Sequence, residues 1–87
     1  MDRASQAATG GERMRSYNLF YRKGLDGLVC AVPEDYAVPA FLTEELWAFE
    51  GRVDGRTPQP AGFDGSVAAT AVRFNGFYLF QNLARTA

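Results

Sequence analysis

The stretch from Phe63 to Gln81 constrains the fold of this chain more than any other segment. Asp64 can accept hydrogen bonds from the first free amides of a helix. Small apolar residues then recur at helical spacing, at Val67, Ala68, Ala71 and Val72. Gly76 favours the left-handed conformation in which helices end, and four large apolar residues follow directly at 77–80. The segment therefore predicts a capped helix and then a strand that is apolar on both faces.

Such a strand needs cover on both faces, because successive side chains point to opposite sides of a sheet. If Phe77 and Leu79 face the helix, Tyr78 and Phe80 point to the opposite face. Burying two such aromatic side chains contributes on the order of 2 to 3 kcal/mol each. Exposed apolar patches of this kind commonly mark interfaces. The strand therefore predicts association, unless the long loop or the N-terminal arm of the same chain covers that face.

Two strand-like runs open the structured part of the chain. The run from Ser16 to Arg22 is rich in aromatic residues, as strands often are. An Asp-Gly pair and a further glycine within residues 23–27 indicate a hairpin turn into a second strand over 28–32. Pro33 ends that second strand.

The middle of the chain is less regular. Residues 34–46 support only a turn or two of helix. Over the next residues a helical and a strand spacing compete, and we favour a strand from Trp47 to Val53 because Trp47, Phe49, Gly51 and Val53 alternate. Residues 54–62 are dense in turn residues and predict the one long loop. The chain thus predicts a small α+β domain over residues 15–87. Its four-stranded, mostly antiparallel sheet has the element order β-β-short α-β-α-β, with one main helix on one face.

Residues 1–14 are mostly small and polar, include a Gly-Gly pair and show no periodicity. This composition predicts a disordered N-terminal arm. Because Met14 directly precedes the first strand-like residues, we expect it to be the natural start of the chain. A length of 87 residues leaves room for one domain with a modest core.

Charge and cysteine content restrict the partners and the compartment. Nine basic and ten acidic residues give a net charge of −1, which provides no general field to concentrate nucleic acid or anionic lipid. The single cysteine, Cys30, lies in an apolar run, which indicates burial as a reduced thiol. No apolar run approaches the roughly 20 residues that cross a bilayer. We therefore expect a cytoplasmic, bacterial-type protein with no membrane partner.

The sequence offers little material for catalysis. It has no histidine, and one cysteine cannot complete a zinc site built from nitrogen and sulfur ligands. Two carboxylate pairs occur, at Glu34/Asp35 and Glu44/Glu45, and we interpret both as surface or helix-start residues. The glycines around Asp64 favour helix capping over phosphate binding, because the aspartate itself would repel a phosphate. We expect no catalytic residues, no metal site and no cofactor, and we lean against an enzyme.

Three functions remain open. The first is a non-enzymatic interaction domain, either a homodimer or an adaptor on another protein. Its candidate interaction face comprises Tyr78, Phe80, Tyr21, Arg22 and Arg73. The alternative is single-stranded nucleic-acid binding, in which those aromatic residues stack on bases beside Arg22, Lys23 and Arg73. The third is a small-ligand pocket between the sheet and the 54–62 loop, lined by Trp47, Phe49 and Phe63 with Arg52 or Arg56 at its rim.

Overall fold

The computed structural model describes residues 15–55 and 59–85, which form one four-stranded antiparallel sheet with one α-helix. The elements are β1 (Tyr17–Arg22), β2 (Leu28–Pro33), β3 (Trp47–Val53), α1 (Gly65–Asn75), β4 (Tyr78–Gln81) and a short 3-10 helix (Leu83–Arg85). The predicted fold class, a small α+β domain, is confirmed. The predicted arm and the predicted start at Met14 lie outside the described residues.

The strands lie in the order β3-β1-β2-β4, so β3 and β4 form the two edges. β1 and β2 form the predicted hairpin, in which Tyr21 lies opposite Val29. β4 pairs with β2 and places Leu79 opposite Cys30. β3 covers the predicted residues and pairs with the other side of β1. Of the predicted 54–62 loop, the structure describes 54–55 and 59–62, which contain neither helix nor strand.

The helix α1 is capped as the sequence predicts. Asp64 Oδ1 accepts hydrogen bonds from the amides of Ser66 and Val67, at 3.0 and 3.1 Å. The Val67 amide first, and then Ser66, hold the pKa of the Asp64 carboxyl below its usual value. At the other end Gly76 has a φ of 86°, and its amide donates to the Val72 carbonyl at 2.9 Å. Both signals are local, which is why the sequence alone predicts them.

The sheet face that α1 covers, here called the inner face, carries the main core. Its buried residues are Tyr17, Leu19, Val29, Ala31, Val53, Phe63, Ala68, Val72, Tyr78 and Phe80. The Phe63 ring lies at the centre of this core, with centroids 5.3–5.5 Å from those of Tyr17, Tyr78 and Phe80. These edge-to-face contacts are the favoured geometry for aromatic pairs. The segment that precedes α1 therefore closes the inner face together with the helix.

The predicted orientation of the last strand is wrong. Tyr78 and Phe80 face α1 and are only 7% and 6% exposed, whereas Leu79 between them points to the opposite face. The cause lies in the pairing with β2, which places Tyr78 opposite Ala31 and Phe80 opposite Val29 in the inner core. The Tyr78 hydroxyl also accepts a long hydrogen bond, 3.4 Å, from the amide just before α1. The two aromatic side chains are therefore part of the core.

A bulge in β3 places residues that alternate in the sequence on different faces of the sheet. The register with β1 moves by one residue at Glu50, so that Gly51 lies opposite Leu19 and Phe49 lies opposite Phe20. Val53 consequently belongs to the inner core, while Trp47 packs on the opposite face. An extra residue in one strand has this effect because side chains alternate with a period of two.

Residues 34–46, here called the strap, connect β2 to β3 mostly through turns, and the predicted turn or two of helix is reduced to a single turn. One helical turn forms at its end, where the Thr43 carbonyl accepts from the amides of Leu46 and Trp47 at 3.2 and 2.8 Å. That turn does not continue, because Trp47 already pairs with β1. The strap is therefore free to cross the face opposite α1.

Candidate functional site

The sheet face opposite α1, here called the outer face, carries apolar side chains on all four strands. These are Phe20, Leu28, Cys30, Val32, Trp47, Phe49 and Leu79, and polar residues such as Asn18 and Arg52 lie on the same face. One row crosses the whole sheet: Leu79 on β4 lies opposite Cys30, which lies opposite Phe20, which lies opposite Phe49 on β3. Its two ends are open to solvent, since Phe49 is 61% and Leu79 46% exposed. The row therefore presents large apolar side chains at both edges.

The strap covers the middle of this row. The centre of the Phe41 ring lies 4.9 Å from that of Phe77 and 5.8 Å from that of Trp47, and both contacts are edge-to-face. Beneath the strap, Cys30 and Val32 are fully buried in a second small core. Burial raises the pKa of the Cys30 thiol to about 12, so the thiol stays protonated while it is buried.

Polar contacts fix the two ends of the strap to the sheet. At its start, the Glu34 amide donates to the Ser16 carbonyl at 3.1 Å, and the Glu34 carboxylate forms an ion pair with Arg52. At its end, the Lys23 amide donates to the Leu46 carbonyl at 2.8 Å. The Glu34–Arg52 pair is about half exposed, so we assign it no more than about 1 kcal/mol.

The middle of the strap is held differently. Its backbone hydrogen bonds within the described chain are internal, from the Leu42 amide to the Pro39 carbonyl and from the Thr43 amide to the Phe41 carbonyl. Contact with the sheet is made by the side chains of Phe41 and Leu42. The cover over the outer face thus depends on two apolar side chains.

Basic side chains at the rim of the outer face are engaged by neighbouring acceptors. Arg52 contacts the carboxylates of Glu34 and Asp54. Arg22 donates to the Lys23 carbonyl at 2.6 Å, and Lys23 Nζ donates to the backbone carbonyl of Glu44 at 2.7 Å. Arg52 therefore has acidic partners, whereas Arg22 and Lys23 donate to uncharged backbone carbonyls.

The structure does not bring the five sequence-predicted interaction residues onto one surface. Tyr78 and Phe80 are buried in the inner core, and Tyr21 packs against that core. Arg22 alternates with Tyr21 and therefore points to the outer face. Arg73 lies exposed on α1, on the other side of the sheet. The face expected from the sequence thus divides into core, outer face and helix.

The predicted ligand pocket is also divided by the sheet. Trp47 packs on the outer face, where the ring centres of Phe49 and Phe20 are 5.8 Å apart. Phe63 lies in the inner core, on the other side of the sheet. These aromatic residues therefore do not line a common pocket. Arg52 is engaged by carboxylates, and Arg56 lies outside the described residues.

The remaining chemical candidates are a helix cap and surface carboxylates. Asp64 accepts hydrogen bonds from the first amides of α1, the capping role that the sequence favoured over phosphate binding. Of the two carboxylate pairs, Glu34 forms an ion pair with Arg52, and Asp35, Glu44 and Glu45 are exposed. Across residues 15–55 and 59–85, no group of three metal-binding side chains comes together.

The sequence analysis did not assign Phe49 and Leu79 to the interaction face, although the structure leaves both side chains exposed on the outer face. The relevant signal was present in β1, whose alternate residues place Tyr21 on one face and Phe20 on the other. A central strand with large apolar groups on both faces implies that both faces of the sheet need cover. Which edge residues stay exposed depends on the bulge and on the path of the strap.

Comparison of this chain with models of known protein families, with curated proteins and with solved structures finds no significant match. Within the part of the chain that the structure describes, no helix combines the length and the apolar character needed to cross a membrane. The functional argument therefore rests on the geometry of the outer face.

Proposed function

We propose that this chain is a non-enzymatic association domain that forms a homodimer through its outer face. The observation that supports the proposal is the apolar row from Phe49 to Leu79, exposed at both edges of the sheet. Large apolar side chains exposed in this way are typical of protein interfaces. The proposal keeps the function expected from the sequence but moves it from Tyr78 and Phe80 to the other face.

A second copy is the partner that the charge pattern favours. A two-fold dimer buries the same patch on both copies, so the patch must be compatible with itself. The net charge of −1 creates little repulsion between copies. The rim offers both signs, through Lys23 at one end and the Glu34–Arg52 pair at the other. A strongly basic or acidic rim would instead favour a partner of opposite charge.

The size of the face predicts a weak dimer. The four strands have six, six, seven and four residues. With strands about 4.8 Å apart and a rise of about 3.3 Å per residue, the face has a footprint of about 400 Å². A standard interface buries about 800 Å² on each partner. We therefore expect a dissociation constant in the micromolar range or above.

We also propose that this association takes place in the cytoplasm. The support is Cys30, the single cysteine of the chain, which is held buried as a free thiol. Free thiols of this kind persist where the surroundings are reducing.

Single-stranded nucleic acid is the second candidate, favoured by the rings of Phe20 and Phe49, which lie side by side near Arg22. Bases stack on exposed aromatic rings of this kind. The carboxylates around Arg52 and the position of Arg73 on α1 speak against it. Salt separates the two functions: affinity for an oligonucleotide falls steeply as salt rises, whereas an apolar dimer is nearly indifferent to salt.

Light scattering across a concentration series from about 10 µM to 1 mM tests the proposal, as the expected micromolar affinity requires. We expect the wild-type mass to rise toward that of a dimer. The double variant Phe49→Ser/Leu79→Ser should remain a folded monomer, because it removes both exposed ends of the row.

The matched control is Val67→Ser/Phe74→Ser, which removes two comparably exposed apolar side chains from α1. This control should dimerise like the wild type. A wild-type monomer at every concentration, or a control that loses the dimer while Phe49→Ser/Leu79→Ser keeps it, would overturn the proposal.

A further inference from the structure

Polar contacts tie the strap to its neighbours near both ends, including a cation–π contact in which Arg15 lies 5.3 Å from the centre of the Tyr36 ring. The ends of the strap are hydrogen-bonded to the sheet, but its middle contacts the sheet through Phe41 and Leu42. Phe41 is itself 40% exposed while it makes those contacts. Segments with few buried contacts open at a lower free energy than the core of a protein. The middle of the strap is therefore the part of the outer face that can move.

The surface beneath the strap is continuous with the exposed ends of the apolar row. Cys30 lies directly between Leu79 and Phe20 in that row, and Val32 lies beside it on β2. With the strap in place, the exposed apolar area is split into two edge patches around Phe49 and Leu79. With the strap displaced, the whole row becomes a single surface, and the area available to a partner increases.

We infer that the strap is an internal competitor for the outer face. Phe41 occupies, between Trp47 and Phe77, the position that an apolar side chain of the second copy takes in the proposed dimer. The closed strap thus represents an autoinhibited monomer, and dimer formation is coupled to strap opening. The identity of the partner rests on the proposed function, whereas the opening of the strap does not.

Thiol labelling tests the opening directly, because Cys30 is the single cysteine of the chain and is buried under the strap. The rate of reaction with a disulfide reagent is measured at a concentration where light scattering shows monomer. Loss of two edge-to-face ring contacts should raise the labelling rate of Phe41→Ala on the order of tenfold. The control Val38→Ala, also exposed and in the strap, should change the rate less than twofold.

The urea dependence of labelling separates strap opening from unfolding of the whole domain. Opening of a short segment exposes little surface, so the wild-type rate should be nearly flat in low urea. A wild-type rate that follows global unfolding at every urea concentration would overturn the inference. An unchanged rate in Phe41→Ala, in a protein that remains folded, would do the same.

The dimer affinity of Phe41→Ala gives a second readout. We expect this variant to dimerise about tenfold more tightly than the wild type, because a competitor has been removed. Weaker dimerisation would show that Phe41 is an interface contact and would overturn the competition. If labelling is accelerated but neither protein dimerises at any concentration, the proposed homodimer fails while the opening of the strap is supported.

Discussion

The two faces of this sheet are both apolar, yet they are covered in different ways. The inner face is closed by α1 and by Phe63, whose ring contacts three other aromatic rings. The outer face is crossed by the strap, where Phe41 and Leu42 make the contacts, and Phe49 and Leu79 stay exposed. Both faces are apolar, so apolar content alone does not tell which face is available to a partner. The available face is the one that its cover leaves partly exposed.

The largest expected effect contrasts one aromatic residue from each face. Phe63→Ala should lower the free energy of unfolding by about 3 to 5 kcal/mol, because it leaves a cavity at the centre of the inner core. Phe49→Ala should lower it by about 1 kcal/mol or less in the monomer, because that side chain is mostly exposed. Urea unfolding at low protein concentration measures both. Equal losses would contradict the difference between the faces.

The next effect concerns the loop that leads into Phe63. A Cβ added at Gly62 would lie 1.9 Å from the Gln81 carbonyl oxygen, whereas one added at Gly24 meets nothing within 4 Å. Both glycines have a positive φ, 95° and 83°, so alanine costs about 1 to 2 kcal/mol at either position through backbone strain. Only Gly62→Ala adds a clash with the edge of β4.

Thermal or urea unfolding of the two variants separates the cost of backbone strain from the cost of the steric clash. Gly62→Ala should be less stable than Gly24→Ala by about 1 to 3 kcal/mol, the usual range for overpacking. Similar stabilities of Gly62→Ala and Gly24→Ala would indicate that the loop before Phe63 moves easily. The inner core would then be less closely packed than its contacts suggest.

The smallest effect concerns the cap of α1. Hydrogen bonds from Val67 and Ser66 hold the pKa of the Asp64 carboxyl below its usual value of 3.8. A group with a lowered pKa in the folded state stabilises the fold above its unfolded pKa, and this contribution is lost as the pH falls through the folded value. Asparagine caps a helix about as well but does not titrate in this range.

We therefore expect the wild type to lose slightly more thermal stability than Asp64→Asn as the pH falls from about 5 to 2. Melting temperatures measured by circular dichroism at several pH values check this. Parallel pH profiles of the two proteins would show that Asp64 has the same pKa in the folded and unfolded chains.

The parts of the fold that follow from local chemistry are those that the sequence predicts. The caps at Asp64 and Gly76, the β1–β2 hairpin and the bounds of β3 depend on neighbouring residues and are confirmed. The facing of Tyr78 is not local, because it depends on the pairing of β4 with β2. A period of two gives the two faces of a strand but does not say which of them meets the helix.

The facing of Phe49 could not be predicted for a similar reason. Trp47, Phe49, Gly51 and Val53 alternate in the sequence as if they shared one face. The bulge at Glu50 divides them, so that Trp47 and Phe49 lie on the outer face and Val53 on the inner. Bulges depend on the register between strands, and the sequence of one strand does not specify that register.

The most direct test of the outer face as the interface is a dilution series followed by NMR, from about 1 mM to 10 µM, which spans the affinity expected for a small face. We predict that the ring and methyl signals of Phe20, Phe49 and Leu79 move with concentration, while those of Val67 and Phe74 on α1 stay fixed. Signals that move on α1 instead, or that do not move anywhere across the series, would contradict a homodimer built on this face.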